Sequence, residues 1–181
     1  MPPGLLSDAF HSLPKAELHL HLEGSLQPVT LMALAERHGI ELSVEEVRRR
    51  YAYPDFMEFI EAFKWVCSLL RDPDDYGVAL RDLGEQLLAE HVVYAELTLS
   101  IGVMLLRKQS VERNFAAILA TAETFRARGL RFNFVFDAVR QFGAEAAMKV
   151  VEAVERCGSR SIVAFGIGGD ELSVPAKEFR A

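Results

Sequence analysis

Lys15-Ala16-Glu17-Leu18-His19-Leu20-His21-Leu22-Glu23-Gly24 alternates polar and apolar residues without a break. That is the period of a β-strand, whose successive side chains point to opposite faces. It predicts a first strand over about Ala16 to Glu23, with Glu17, His19, His21 and Glu23 on one face and Leu18, Leu20 and Leu22 packed behind. Two imidazoles on one strand face can share a metal ion. A His-x-His pair alone is a weak signal, equally compatible with two incidental histidines on a half-exposed strand. The rest of the chain favours the metal reading.

Downstream, Pro28 in a first turn and Gly39 past the end bracket a helix. Ser43-Val44-Glu45-Glu46 has the form of a capping box, so a short helix follows. Asp55 caps the next, in which Phe56, Phe59, Ile60 and Phe63 recur at helical spacing, and Asp72-Pro73 opens another that reaches about Glu90. Beyond this helical insertion, strands over Val92 to Leu99, Arg131 to Val139 and Ser161 to Ile167 alternate with helices over Val111 to Arg128 and Ala144 to Cys157. Strand, helix, strand in series predicts parallel pairing. Parallel strands are normally covered on both faces, so the polar positions of the first strand are poorly explained as a solvated surface.

The fold class is therefore α/β, either an open sheet or half of an eight-stranded barrel. His19, His21 and Glu23 gather at the C-terminal end of the first strand, and Gly168-Gly169-Asp170-Glu171 follows the fourth. Active sites of such architectures lie at that end, and the pattern favours a (β/α)8 barrel of the TIM type. Residues 1–181 read as one domain supplying its first four β/α units, as if a larger domain had been cut. Pro175 reads as the start of another helix.

Half of the 181 residues are hydrophobic, enough for one real core. A net charge of -6 argues against nucleic acid or an anionic membrane as the main partner and favours a small molecule. Cys67 and Cys157 fit neither a disulfide framework nor a Cys-x-x-Cys site and read as buried thiols. With no basic, apolar leader and no run long enough to span a bilayer, the expected location is the cytoplasm.

Other residues have plainer readings. The glycines of Gly168-Gly169-Asp170-Glu171 serve a tight turn as readily as a ligand's close approach. Phe56, Phe59, Phe63 and Trp65 read as helix packing before a ligand lid. Asp137 reads as a helix N-cap or solvated loop residue, with a role behind a metal ligand as the alternative. His91 sits at the wrong rim to join His19, His11 and His38 read as exposed, and Glu96 needs a partner that the sequence does not name.

Leu13-Pro14-Lys15-Ala16-Glu17-Leu18-His19-Leu20-His21-Leu22-Glu23-Gly24 closely resembles the opening motif of the adenosine deaminase family, zinc-dependent members of the amidohydrolase superfamily. The resemblance continues through Val93-Tyr94-Ala95-Glu96-Leu97 and Gly166-Ile167-Gly168-Gly169-Asp170-Glu171. Tyr53-Pro54-Asp55-Phe56-Met57 and Ala62-Phe63-Lys64-Trp65-Val66 resemble the bacterial branch that includes aminodeoxyfutalosine deaminases.

The resemblance implies that His19 and His21 ligate Zn2+, with His21 also against the substrate. By the same resemblance Glu23, where many relatives have Asp, accepts a hydrogen bond from the sugar. The Gly169 N–H binds the purine ring, and Phe56 and Met57 belong to a lid helix. The implied reaction is hydrolytic deamination at C6 of an adenine-type nucleoside, adenosine or aminodeoxyfutalosine, by a zinc-activated water with release of ammonia. Free adenine is the alternative substrate.

The family's third histidine ligand, its general acid/base and its aspartate ligand have no counterpart here, since no histidine follows His91. They are expected after residue 181, and the chain alone is expected to be inactive. The competing reading is a non-catalytic half-barrel that binds a nucleoside or assembles as a homo-oligomer.

Overall fold

The computed structural model describes residues 11–180, in which four parallel strands pair in the order of the sequence. They are β1 (Lys15–His21), β2 (Val92–Leu99), β3 (Arg131–Val139) and β4 (Ile162–Gly168). Between β1 and β2 lie α1 (Pro28–Arg37), α2 (Val44–Tyr51), α3 (Phe56–Leu69) and α4 (Pro73–Ala89). α5 (Ile101–Leu106) and α6 (Val111–Arg126) connect β2 to β3, and α7 (Gly143–Cys157) connects β3 to β4.

The caps fall where their chemistry demands. Ser43, Asp55 and Ser110 each accept a hydrogen bond from the first-turn N–H of the helix they precede, and Asp72 and Asp75 form a reciprocal capping box on α4. α5 is missing from the sequence reading, because Ile101-Gly102-Val103-Met104-Leu105-Leu106 is too short to show a period and Ser100 makes no side-chain cap. The helix expected from Pro175 is only a 3-10 turn, Ala176–Phe179.

The outer face of β2 and β3 is closed by helices. Ala95, Leu97 and Leu99 of β2 and Phe134 and Phe136 of β3 have no exposed surface. The Phe115 ring of α6 meets Phe134 and Phe136 edge to face, at 5.3 and 5.0 Å between centroids, and Phe125 meets Phe132 at 5.9 Å. α4 approaches α6 where Gly84 leaves room for the ring of Phe125.

The alternation of β1 is broken, and this corrects the one-face reading of its polar residues. Glu17 pairs with Ala95 and Leu20 with Leu97, so Leu18 and His19 stand opposite the single residue Glu96 as a bulge. The extra residue reverses the parity: Glu17 shares the outer side with Leu20, where both line a cleft with Leu83, Gln86 and Leu87 of α4. Leu18 is not packed behind the histidines but is 61 % exposed. Glu23 lies beyond the strand, in a 3-10 turn.

His38, expected in solvent, instead faces Asp75. Its Nε2 is 2.7 Å from Oδ2 of this fully buried carboxylate, which also accepts from the Arg71 N–H at 2.8 Å, the Asp72 N–H at 3.2 Å and, on Oδ1, Arg37 Nε at 3.2 Å. The cluster clasps the end of α1 to the start of α4.

Candidate active site

The bulge leaves His19 and His21 on the inner face, with ring centroids 5.5 Å apart. Beside them in register come Glu96 and Thr98 of β2, Asn133, Val135 and Asp137 of β3, and Ala164, Gly166 and Gly168 of β4. Glu96 finds the partner the sequence withheld: Tyr94 donates its hydroxyl to Oε1 at 2.6 Å and accepts from Asn133 Nδ2 at 2.9 Å.

His21 is half-buried, and burial first and the neighbouring His19 second hold its pKa below the ordinary imidazole value. Neutral imidazole is the form that binds a metal. Its Nδ1 is buried without a hydrogen-bond partner. An orphaned nitrogen beside a second imidazole at the C-terminal rim fits a ligand pair. Among the described residues no third histidine, cysteine or carboxylate lies close enough to complete it. His38, Asp72 and Asp75 do offer three ligand atoms close together. Those carboxylates already accept backbone N–H groups, and Arg37 sits among them, which marks a structural clasp.

Glu23 is 1 % exposed, and burial pushes its pKa up to about 7 against the opposing hydrogen bond from the Ser100 N–H. That N–H donates to Oε1 at 2.9 Å, while Oε2 is buried without a partner. Glu23 thus fixes the end of β1 to the end of β2 and keeps one acceptor free.

Asp137 is neither a helix cap nor solvated. It is an inward residue of β3, 8 % exposed, with its pKa raised to about 6 by burial, against the Gly168 N–H and the charges of His19 and Arg140. Its place was readable from the alternation Asn133, Val135, Asp137 opposite Phe132, Phe134 and Phe136. Gly169, expected to meet the purine, has φ +108, a conformation suited to glycine.

Of the aromatic residues of α3, Trp65 packs against the core as expected, but the start of the helix does not. Phe56 and Met57 are 53 % and 56 % exposed. Their rings form a ladder instead: Phe56 contacts Phe59 at 6.0 Å, Phe59 contacts Phe63 at 6.2 Å, and Phe63 stands edge-on to His21 at 6.0 Å. A helix face that ends at a candidate ligand carries apolar side chains toward the site. Cys67 is buried as expected, whereas Cys157 is only partly so.

Comparison with known proteins agrees with this fold. An aminodeoxyfutalosine deaminase of Streptomyces avermitilis is 32% identical over 175 residues, spanning 93% of this chain and 49% of that protein. The crystal structure of an adenine deaminase from Arthrobacter aurescens superposes with a TM-score of 0.85 at 28% identity, over 92% of this chain and 52% of that one. A zinc-bound amidohydrolase from Burkholderia ambifaria gives 0.82 at 25% identity, over 94% and 48%. The chain spans about half the length of the relatives it matches, and its parallel sheet corresponds to half of their TIM barrel. No described helix is long and apolar enough to cross a membrane. The family model described as adenosine deaminase matches residues 14–181, from the Pro14 that leads into the histidine strand to the end of the chain, and the chain belongs to that family.

Proposed function

We propose that this chain carries the first half of a zinc-dependent deaminase site, acting at C6 of an adenine-type ring and releasing ammonia. The observation that carries the reading is the inward pair His19 and His21, with Nδ1 of His21 buried and unpartnered. When bound, zinc supplies a Lewis acid that makes water nucleophilic near neutral pH. The chain's own residues do the rest of their share by holding and orienting. His19 and His21 hold the metal, and the Gly169 N–H donates to the purine. Glu23 offers its free Oε2 to a hydroxyl of the sugar, and Phe56, Met57, Phe59 and Phe63 shield the ring from water. The aromatic ladder extends away from His21, which favours a nucleoside with an aromatic extension, of the aminodeoxyfutalosine kind, over free adenine. The third ligand and the proton-transferring group come from a complementary half-barrel, for which the unpaired edges of β1 and β4 provide the seams.

The test joins this chain to the second half of the Arthrobacter aurescens adenine deaminase. Ammonia release is then measured from adenosine, aminodeoxyfutalosine and adenine. The chain alone with zinc is expected to release none. The joined protein is expected to release ammonia in a zinc-dependent way that His19→Ala or His21→Ala abolishes. A folded, zinc-loaded chimera inert toward all three contradicts the reading.

A further inference from the structure

The end of β3 grips the segment after β4 at points on both sides of Gly169. Asp137 lies flat across β4: a Cβ on Gly166 would come 2.6 Å from its Oδ1, and one on Gly168 2.6 Å from its Oδ2. Two glycines therefore leave the room that the carboxylate occupies. Arg140, 6 % exposed, donates through Nη2 to the Ile167 carbonyl at 3.1 Å and through Nη1 to the Val174 carbonyl at 2.9 Å. Nη2 also donates to Glu171 Oε1 at 2.8 Å. Gln141 donates through Nε2 to the Asp170 carbonyl at 3.2 Å, and its Oε1 fills the place where a Cβ on Gly169 would stand.

Stability alone is a poor reason for this arrangement. A buried guanidinium costs desolvation, here offset by Glu171, whose side chain is 77 % exposed, and Arg140 Nε is left buried without a partner. The loop it holds buries little in return, with Leu172 97 % exposed. A surface loop of this kind is mobile by default, and a backbone donor on it recognises a ligand only when its position is set beforehand. An arginine presents its donors from separate nitrogens of a rigid planar fork, which sets the spacing of the carbonyls it holds on either side of Gly169, whereas a lysine presents all of its donors from one nitrogen on a flexible stem.

We infer that Asp137, Arg140 and Gln141 are positioning residues, a clamp from β3 that fixes the Gly169 backbone for the purine ring. The inference rests on the reading of Gly169 as the purine contact. The β3 end thereby serves recognition without touching the ligand.

The test is an adenosine titration of the 15N-labelled chain with zinc present, following the Gly169 amide, for the wild type, Arg140→Lys and Gln141→Ala. Wild type is expected to show a saturable shift. Arg140→Lys is expected to weaken adenosine binding about tenfold, with faster amide exchange over residues 168–174 and unchanged zinc affinity. Gln141→Ala is expected to do the same to a smaller degree, and it keeps the test open if Arg140→Lys does not fold. Unchanged adenosine affinity in the folded variants overturns the clamp while leaving the purine reading intact. An equal loss of zinc affinity overturns it too, since the defect would then be general. The absence of any Gly169 shift in wild type overturns the purine contact itself, and the clamp with it.

Discussion

The two faces of one sheet have opposite characters in this chain. On the outer face Leu97, Leu99, Phe134 and Phe136 are fully buried against helices, and aromatic rings meet edge to face. On the inner face, residues one position away in the same strands are Glu96, Thr98, Asn133 and Asp137, beside an exposed Leu18 and His19. Hydrophobic burial completes the first face over β2 and β3, while Phe165 on β4, in register with Phe136, stays 40 % exposed. The second is polar, with Thr98, Asn133 and Asp137 buried beside the exposed His19, and its hydrogen bonds run within small groups, as from Asn133 to Tyr94 to Glu96. The outer face holds the fold, and the inner face carries the candidate site.

The sharpest way to break this comparison is to move truncations across the sheet. Phe134→Ala removes an unexposed ring that packs on Phe115 and is expected to cost about 3–5 kcal/mol in urea unfolding. A cost below about 1 kcal/mol would show that the outer face is not what holds the strands.

Next in size is a pH effect at the seam between the faces. Glu23 is protonated more readily when folded, its pKa raised by burial from 4.5 to about 7. Below pH 4.5 both folded and unfolded chains hold the proton and nothing is lost. As the pH rises toward 7 the unfolded chain releases it first, so stability falls by an amount on the order of 3 kcal/mol. Glu23→Gln keeps an acceptor for the Ser100 N–H and is expected to flatten that part of the pH profile, measured by urea unfolding at both ends. An identical slope in the two proteins would mean that Glu23 is solvated.

The smallest effect belongs to the inner face. Leu18→Ser changes a residue that is 61 % exposed and is expected to alter stability by no more than about 0.5 kcal/mol. A large loss would place Leu18 in the core, where strict alternation put it.

What the sequence made legible follows the same division. β2 and β3 match the sequence reading at both ends, because Val92 to Leu99 and Arg131 to Val139 are long and bounded by turn signals. The crossing of His19 and His21 to one face was also readable. The bulge at Leu18 and His19 was not, since it is set by pairing with Glu96 rather than by composition. The partner of His38 and the grip of Arg140 on Ile167 and Val174 are likewise long-range contacts, invisible to local pattern, whereas Tyr94, the partner of Glu96, stands two residues away on the same strand face and was within reach of the alternation. The exposed Phe56 and Met57 show the converse error: helical spacing of apolar residues identifies a face without saying what covers it.

The central claim is that His19 and His21 form two ligands of a metal site and no more. Its most direct test is zinc affinity of the 181-residue chain, measured by competition with a chelator of known strength. Structural and catalytic zinc sites use three or four protein ligands, so the prediction is weak, one-to-one binding that His19→Ala or His21→Ala each removes. Tight stoichiometric zinc in the purified chain, or weak binding indifferent to both substitutions, would contradict it.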